Sequence, residues 1–513
     1  MKRLLSILLC LLLVLLCGCG QTNKPYTPTG NGLTWDEDYT GPVYTRPQED
    51  TEQSLVLAYY ADKSMNPYLC TDFTNRALFS LLYQSLFIVD RDYNTAPQLC
   101  KSYTMSEDMK TYTFYIESAT FSDGSALTAQ DVAASLQAAK ESAIYSGRFL
   151  HISQISLSDD GGVVLQLSAA CESVPLLLDI PIIKASQLEE DRPLGTGPYA
   201  LESTATGACL RRRTNWWCSA EMTITADTIA LLAAESTTHI RDEFEFSDLS
   251  LVCADPGSDR YADYRCDYEL WDCENGIFLY LACSDSSTVF SDAQVRAALT
   301  YAIDRDSLTE NYYRGFARSA TLPASPLSPY YSEALASKYA YNSVKFAQII
   351  SDKGLKDSTV TLLVNSDDSL RLRVARAVGQ MLTDCGLNVQ MSELSGSDYL
   401  YALQTWNYDL YLGQTRLSAN MDLSAFFSSS GTLSYGGVND VAAYALCLQA
   451  LENRGNYYTL HQTVMDNGLI CPVLFRSYAV YATRGLLTEL NPSRDNVFYY
   501  SLGRTMTDAY VQP

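Results

Sequence analysis

The chain has 513 residues, of which 47% are hydrophobic and 19% charged, and its formal net charge is −23. This length and hydrophobic content predict a folded protein of two or three domains and exclude a wholly disordered chain. The negative charge is spread along the chain, so it disfavours binding to nucleic acid or to anionic lipid headgroups.

The N-terminal residues have the pattern of a secretory signal. Lys2 and Arg3 precede an apolar run at residues 4–16, which is too short to cross a bilayer of about 30 Å as a helix. The run ends in the sequence LCGC, which resembles a bacterial lipobox and makes Cys19 the predicted site of lipid attachment. We therefore expect residues 1–18 to be removed and the protein to be anchored, facing outwards, through Cys19. An ordinary signal peptide is the alternative.

The segment after this signal differs in composition from the rest of the chain. Residues 19–51 are rich in Pro, Thr, Gly, Asn and acidic residues and show no periodic apolar pattern. Such a segment buries too little apolar surface to offset the entropy lost on ordering. It is predicted to be a flexible tether.

Several elements are predicted in the first half of the folded chain. The apolar run at residues 55–60 predicts a strand, and the spacing of apolar residues at 77–86 predicts a helix. The sequence TYTFYI at residues 111–116 has strand composition. Thr128 with Asp131 predicts the capped start of a helix that runs through Ala139.

A single amphipathic helix is predicted at residues 290–311. Ser291 and Gln294 have the spacing of a capping box at its start. Its apolar residues recur at the spacing that forms one face of a helix: Val295, Ala298, Leu299, Ala302 and Ile303.

The C-terminal half contains the pattern of a βαβ unit. Residues 360–364 read as a strand, residues 370–384 as a helix and residues 387–389 as a second strand. This order predicts an α/β domain.

Ordered motifs along the chain resemble one protein family. FSDGSALTAQDV at residues 121–132, GTGPY at 195–199 and VRAALTYAIDR at 295–305 are similar to segments of the family 5 extracellular solute-binding proteins, which serve peptide, dipeptide and nickel ABC importers. In GTGPY, Gly is expected to allow positive φ and Pro to fix φ. The resemblance extends from about Leu55 to Val497.

This resemblance implies an α/β, periplasmic-binding-protein-like fold with two lobes, of type II and of the peptide-binding subclass with an extra inserted domain. The ligand would be buried in a cleft between the lobes. The expected domains are lobe 1 (residues 52–70, 194–283 and 481–513), the inserted domain (71–193) and lobe 2 (284–480).

The sequence gives no support for an enzyme. It lacks the HExxH, G-x-S-x-G, Walker A and GxGxxG motifs, and it has only three histidines. The twelve cysteines beyond residue 19 include no CxxC pair, which argues against a zinc site and leaves disulfide connectivity open. No cofactor or resident metal is expected, and the expected partners are ABC permease subunits and a solute, with the protein itself a monomer.

One segment departs from the family and bears on the ligand. Peptide-binding relatives are expected to pair the ligand amine with an Asp, where this chain has Ala419. Arg416, in the same segment, is a candidate anchor for a carboxylate or phosphate. Arg416 could instead pair with an acid such as Asp422 at the lobe surface, or Asp422 could bind a peptide amine. The full set of candidate ligand-binding residues is Asn66, Tyr68, Arg148, Arg416, Asn420, Asp422 and Tyr435.

The predicted function is capture of a peptide-like or small anionic solute for an ABC importer. One alternative is a surface lipoprotein of the same fold that acts as a sensor or adaptor without transport. Another is binding of a chelated metal of the nickel type, since three dispersed histidines argue against direct ligation of the ion.

Overall fold

The computed structural model describes residues 55–498 except 206, 220–225, 258–263, 486–489 and 491. The predicted signal, the predicted lipidation residue Cys19 and the predicted tether lie outside the described residues. Within the described part of the chain, no helix combines the length and the apolar character needed to cross a membrane.

The described strands are, in chain order, β1 (Val56–Tyr59), β2 (Phe87–Val89), β3 (Thr95–Pro97), β4 (Cys100–Met105), β5 (Thr111–Ile116), β6 (Ile152–Leu157), β7 (Val163–Leu167), β8 (Tyr199–Thr204), β9 (Gly207–Arg212), β10 (Thr228–Ala233), β11 (Leu251–Ala254), β12 (Tyr268–Cys283), β13 (Ala317–Ser319), β14 (Thr359–Asn365), β15 (Asn388–Leu394), β16 (Leu410–Arg416) and β17 (Cys471–Thr483).

The described α-helices are α1 (Phe73–Arg76), α2 (Phe79–Leu82), α3 (Ala129–Glu141), α4 (Thr237–Glu245), α5 (Ala293–Ala298), α6 (Arg305–Tyr313), α7 (Glu333–Ala336), α8 (Ser343–Asp352), α9 (Ser369–Asp384), α10 (Gly396–Gln404), α11 (Ser424–Phe427), α12 (Val441–Glu452) and α13 (Tyr457–Asp466). Short 3₁₀ helices lie at Ser146–Phe149, Val174–Leu177, Ala185–Gln187, Leu299–Ala302, Ser337–Tyr339 and Arg454–Asn456.

One large sheet runs through the described structure. Its strand order is β15-β14-β16-β12-β17-β11-β1-β10-β9-β8, and β13 pairs with β17 beside this path. A separate four-stranded sheet has the order β4-β5-β7-β6, and β2 pairs with β3. The mixture of sheets and helices confirms the predicted α/β class.

Two long strands join the halves of the large sheet. At one end β14 is parallel to β15 and β16, and at the other β1 is parallel to β10 and β11. Between them β12 pairs antiparallel with both β16 and β17. The β12–β17 register shifts between Glu274 and Phe278, where Gly276 has φ of 75°. This β-bulge therefore lies where the chain crosses from one half of the sheet to the other.

The hydrophobic side chains form separate cores on the two halves. One core includes Leu57 and Leu231 of the large sheet together with Val132 of α3 and Phe114 of the four-stranded sheet. Another includes Leu281 of β12, Val374 of α9 and Leu412 of β16. The domain boundaries given above remain predictions.

Local predictions of several elements are confirmed. Strand β5 has the predicted bounds, and Thr128 and Asp131 form the predicted capping box. The βαβ unit is present as β14, α9 and β15, with the two strands parallel. The helix predicted at residues 77–86 is shorter, because α2 covers only Phe79–Leu82.

The prediction of one continuous helix at residues 290–311 is wrong. The segment forms α5, a 3₁₀ turn at Leu299–Ala302 and then α6, with Ile303 extended between them. The predicted apolar residues are nevertheless all buried. The cap is Asp292 rather than Ser291, because the Asp292 carboxylate accepts from the Gln294 amide at 2.8 Å.

A buried arginine explains the break in this helix. The Arg305 guanidinium donates to the backbone carbonyls of Thr300 and Ile303, at 3.1 and 3.2 Å. It also donates to the carbonyl of Pro472 on β17. The Arg305 side chain therefore supplies hydrogen bonds to carbonyl groups that the break leaves without helical partners, and its contact with β17 fixes its position.

The glycines of the GTGPY turn are needed for a reason other than the predicted one. Neither Gly195 nor Gly197 has positive φ. A Cβ atom at Gly195 would lie 2.2 Å from the carbonyl oxygen of Leu82, and one at Gly197 would lie 2.5 Å from the carbonyl carbon of Leu82. The turn requires glycine because it packs directly against the backbone at the end of α2.

Candidate functional site

Four arginines converge on one carboxylate beside the bulge in β12. The distances to Asp495 are 2.7 Å from Arg148 Nη2, 2.8 Å from Arg416 Nη2, 3.3 Å from Arg494 Nε and 3.9 Å from Arg76 Nη2. Arg76 ends α1, Arg148 lies in the 3₁₀ turn Ser146–Phe149 and Arg416 ends β16. We call these five residues the arginine cluster.

The arginine cluster is largely removed from solvent. The side chain of Asp495 is 7% exposed and those of Arg148 and Arg494 are 9% and 6% exposed, whereas Arg76 and Arg416 are 17% and 30% exposed. Burial acts to raise the pKa of Asp495, but the charges of Arg416, Arg148 and Arg494 outweigh it and hold that pKa well below its usual range. Asp495 is therefore an anion at neutral pH.

A second carboxylate, Asp179, lies next to the cluster. Burial and the negative charge of Asp495 raise the pKa of Asp179 to about 6. Its oxygens accept from Asn496 Nδ2 at 3.0 and 3.2 Å, and its backbone carbonyl accepts from Arg148 Nη1 at 2.7 Å. The arginine charges that lower the pKa of Asp495 therefore do not fully offset the rise in the pKa of Asp179 that burial causes.

Backbone contacts fix the arginines against the bulge. Arg416 Nε donates to the carbonyl of Asn275 at 2.9 Å, and Arg494 Nη2 donates to the carbonyl of Leu417 at 2.7 Å. A Cβ atom at Gly276 would lie 2.6 Å from Arg494 Nη2. The bulge thus requires glycine both for its positive φ and for the space taken by the guanidinium.

Arg494 has more hydrogen-bonding capacity than its described neighbours use. Its Nη1 atom is buried and has no hydrogen-bond partner among the described residues, and its Nε atom makes no hydrogen bond although it lies 3.3 Å from Asp495. On its other side it shares a small void of about 10 Å³, roughly the space of one water, with Glu274 and Tyr93. Burial raises the pKa of Glu274, whose carboxylate accepts from Tyr93 at 2.5 Å and from Ser325 at 2.7 Å.

A cavity of about 630 Å³ lies beside the arginine cluster, and its lining includes Asp179 and Asn496, which neighbour the cluster, but none of the five cluster residues. This volume is within the range typical of sites for small molecules. Its described lining is Phe79, Ser80, Tyr83, Gln84, Ser85, Ile88, Pro97, Gln98, Cys100, Lys101, Glu117, Asp179, Pro181, Pro198, Trp216, Trp217, Cys218, Asn496 and Phe498. Aromatic walls and a few polar groups therefore lie beside the buried charges.

The structure brings two of the candidate residues together. Arg148 and Arg416 bind different oxygens of the same carboxylate, that of Asp495. Arg416 does pair with an acid of the chain, as the alternative expected, but that acid is Asp495 and not Asp422. Sequence reasoning missed Arg76, Arg494 and Asp495, and no local pattern marks them, since the partners are separated by as many as 347 residues.

Asp422 and Asn420 lie in a different set of contacts. Asp422 Oδ2 is 3.1 Å from His151 Nε2, and Asp422 Oδ1 accepts from Ser424 Oγ at 2.6 Å. Ser424 and Asp422 approach the same ring nitrogen, so the group lacks the serial order of a catalytic triad. The Asn420 side chain accepts from Ser418, and its carbonyl accepts from the hydroxyl of Tyr457.

The remaining candidates have neighbours of their own, away from the arginine cluster. Asn66 is fully buried and donates to the carbonyls of Leu188 and Glu190, at 2.8 and 2.9 Å. The Tyr68 hydroxyl donates to the carbonyl of Pro181 at 2.6 Å. Tyr435 is half-buried and packs edge-on against Tyr411. Their part in ligand binding, like that of Asn420 and Asp422, stays a prediction.

Cysteine and metal chemistry is limited in the described part of the chain. All twelve cysteines from Cys70 to Cys471 are free thiols. No group of three or more His, Cys, Asp or Glu side chains there is arranged to hold a metal ion.

Comparison with known proteins identifies the family of this chain. A model of the bacterial extracellular solute-binding proteins, family 5 Middle, matches residues 94–436. The glutathione-binding protein GsiB of Escherichia coli K12 is 24% identical over 351 residues, which cover 64% of this chain and 67% of the relative. The oligopeptide-binding protein AppA of Bacillus subtilis is 22% identical over 424 residues, 75% of this chain and 77% of the relative.

A solved structure shows the same fold. The ABC transporter substrate binding protein CtaP of Listeria monocytogenes matches with a TM-score of 0.69 at 17% identity, covering 86% of this chain and 97% of the other. The predicted periplasmic-binding-protein-like fold is confirmed by this likeness.

Proposed function

The chain belongs to family 5 of the bacterial extracellular solute-binding proteins, and we propose that it captures a small solute bearing an acidic group for an ABC importer. It acts outside the cytoplasm, as members of this family do. The observation that carries the proposal is the convergence of Arg148 and Arg416 on one buried carboxylate.

The chemistry of these arginines favours an acidic ligand. A guanidinium stays charged at all physiological pH values and donates parallel hydrogen bonds that match a carboxylate or phosphate. In a buried site an unpaired charge costs several kcal/mol, so any group that takes the place of Asp495 on these arginines must supply the opposite charge. Arg148 and Arg416 would hold the acidic group of the solute.

The adjoining cavity has room for the rest of the solute. A volume of about 630 Å³ with aromatic walls suits a molecule of the size of a short peptide. The named relatives bind glutathione and oligopeptides, and a peptide-like solute with free carboxyl groups belongs to the acidic class. Ala419 supplies no charge for a ligand amine, and Asp422 is already engaged by His151 and Ser424.

The other predicted features belong to the same proposal. The protein binds its solute without altering it chemically, is a monomer, and is anchored through a lipid on Cys19 with the residue 19–51 tether leading to the folded body. Lobes with the boundaries given above close on the solute and deliver it to permease subunits. A metal chelate that carries carboxylates would meet the same arginines, so such chelates belong in any ligand screen.

Mass spectrometry of the solute that co-purifies with the native protein tests the proposal first. Calorimetry then compares that solute with the analogue in which its acidic group is amidated. We expect Arg148→Gln and Arg416→Gln each to weaken binding about 10- to 100-fold, since each removes a charge-assisted hydrogen bond worth roughly 1.5–3 kcal/mol.

Arg376→Gln is the matched control, because Arg376 forms an exposed ion pair with Glu393 at 2.8 Å. It should bind like the unmodified protein. Equal affinity for the acid and the amide would contradict the acidic class. Failure of a folded protein to bind any solute would contradict capture itself.

A further inference from the structure

We propose that Asp495 is an internal anion that occupies the arginine cluster until the acidic group of the solute, a carboxylate or a phosphate, displaces it. This inference rests on the proposed function and specifies which group pairs with the arginines before the solute binds. It assigns to the C-terminal segment at residues 492–498 the role of an exchangeable occupant.

The contacts of Asp495 are those expected of a bound acidic ligand. Its Oδ2 atom faces Arg148 and Arg494, while its Oδ1 atom faces Arg416 and Arg76. Each oxygen therefore meets two guanidinium groups that come from separate parts of the chain. A solute carboxylate or phosphate presents the same oxygens in the same geometry.

The cluster carries more positive charge than Asp495 neutralises. Arg494 Nη1 is buried without a hydrogen-bond partner among the described residues, Arg494 Nε meets Asp495 only as an ion pair at 3.3 Å, and Arg76 remains 3.9 Å away. A single carboxylate thus leaves donors unused. A phosphate, or a solute with two carboxylates, would engage more of these donors than Asp495 does.

Exchange is the route that keeps the buried arginines paired. Removal of Asp495 alone would leave several guanidinium groups without a counter-ion, which is strongly unfavourable in a buried site. Entry of an anion as Asp495 leaves conserves the charge of the site. Outside the cluster, Tyr478 donates to the carbonyl of Ser493 and Asn496 donates to Asp179, while Val497 and Phe498 are buried in the core that contains Leu57, so exchange moves the Asp495 side chain and leaves these two residues in place.

The exchange would act directly on the crossing between the two halves of the large sheet. Arg416 donates to the carbonyl of Asn275, and the Arg494 guanidinium packs on Gly276 of the bulge. A change of occupant shifts the positions of both arginines and hence the contacts of the bulge. Solute capture is thereby coupled to the strand that connects the halves.

Chemical rescue of Asp495→Ala in the full chain tests the inference. Thermal unfolding is measured in chloride, glutarate and inorganic phosphate at equal ionic strength. We expect the variant to melt lower than the unmodified protein in chloride and to recover in glutarate or phosphate, with a shift at least twice that of the unmodified protein. The more effective anion identifies the acidic group.

Asp255→Ala is the matched control. Asp255 pairs with Arg476, another buried arginine, at 2.8 Å and lies outside the cluster. Its loss should lower the melting temperature without selective recovery in either anion. Equal recovery of both variants, or no recovery of Asp495→Ala, would overturn the inference.

A second measurement uses the unmodified protein and does not depend on folding of the variant. Hydrogen–deuterium exchange of peptides covering residues 492–498 should increase on addition of glutarate or phosphate, while exchange in β5 stays constant. Anions that leave exchange in this segment unchanged overturn the inference. Solute binding without such a change would overturn the exchange by Asp495 but leave the proposed function intact. Anion rescue without solute capture would contradict the proposed function but still support the exchange by Asp495.

Discussion

At the scale of single residues, His461 is a buried titratable group without a hydrogen-bond partner. It is fully buried on α13, and neither ring nitrogen has a partner among the described residues. Burial lowers its pKa to about 3, from an ordinary value of 6.5. The unfolded chain therefore binds a proton that the folded protein does not as pH falls from 6.5 towards 3, and stability is lost across that window.

Replacing His461 with Leu removes both unpaired nitrogens at similar volume. We expect the free energy of unfolding to rise by about 1–3 kcal/mol at pH 7, because the desolvation cost of the ring nitrogens disappears. Part of the stability loss between pH 6.5 and 4 should disappear as well. Urea unfolding at pH 7 and pH 5 measures both effects; a less stable variant would contradict the interpretation.

At the scale of elements, the backbone of α5 is in close contact with a glycine that follows α13. Gly468 has φ of 60°, and a Cβ atom there would lie 2.3 Å from the amide nitrogen of Ala297. The end of α13 therefore packs against the backbone of α5. Local apolar spacing predicts the buried face of this segment, but neither this contact nor the contacts of Arg305 at the break can be derived from that spacing.

Gly468→Ala tests that packing. We expect it to destabilise the protein by more than about 3 kcal/mol, because backbone must shift in addition to the strain of positive φ. Gly354→Ala is the matched control, since Gly354 has φ of 67° and nothing within 4 Å of the added Cβ. The control should cost only about 1–2 kcal/mol. Equal losses in denaturant unfolding would show that the contact with α5 is unimportant.

At the scale of the whole molecule, the arginine cluster joins α1, the turn at Ser146–Phe149, β16 and the C-terminal segment. The two carboxylates in and beside it respond to pH in opposite directions. The lowered pKa of Asp495 makes a contribution to stability that is present above its ordinary pKa of 3.8 and lost below it. The raised pKa of Asp179 favours the folded state at low pH, and this advantage is lost as pH rises from 3.8 through about 6.

Asp179→Asn separates the two effects. The variant keeps an oxygen that accepts from Asn496 but carries no charge, so its stability should no longer fall between pH 4 and pH 7. At pH 7 we expect a melting temperature equal to or above that of the unmodified protein, and at pH 4 no advantage. Parallel melting curves for the two proteins across this range would show that Asp179 is not the group that titrates.

Elements governed by neighbouring residues were predictable from sequence. The capping box of Thr128 and Asp131, strand β5 and the βαβ unit depend on spacing within a few residues, and each is confirmed. The helix at residues 290–311 was not predictable in full, because Arg305 binds carbonyls that include Pro472, 167 residues away. The GTGPY glycines are required because a side chain there would clash with Leu82, more than a hundred residues earlier, and not because of their own φ angles.

The sequence by itself determined the family, the α/β class, the apolar faces and the candidacy of Arg148 and Arg416, since these depend on residue type and short-range order. Only the tertiary structure decided that both arginines meet Asp495, that Asp422 meets His151 instead, and that the cluster rests on the bulge in β12. The physical reason is that charge pairing depends on distance and burial, and these are set by the packing of segments hundreds of residues apart.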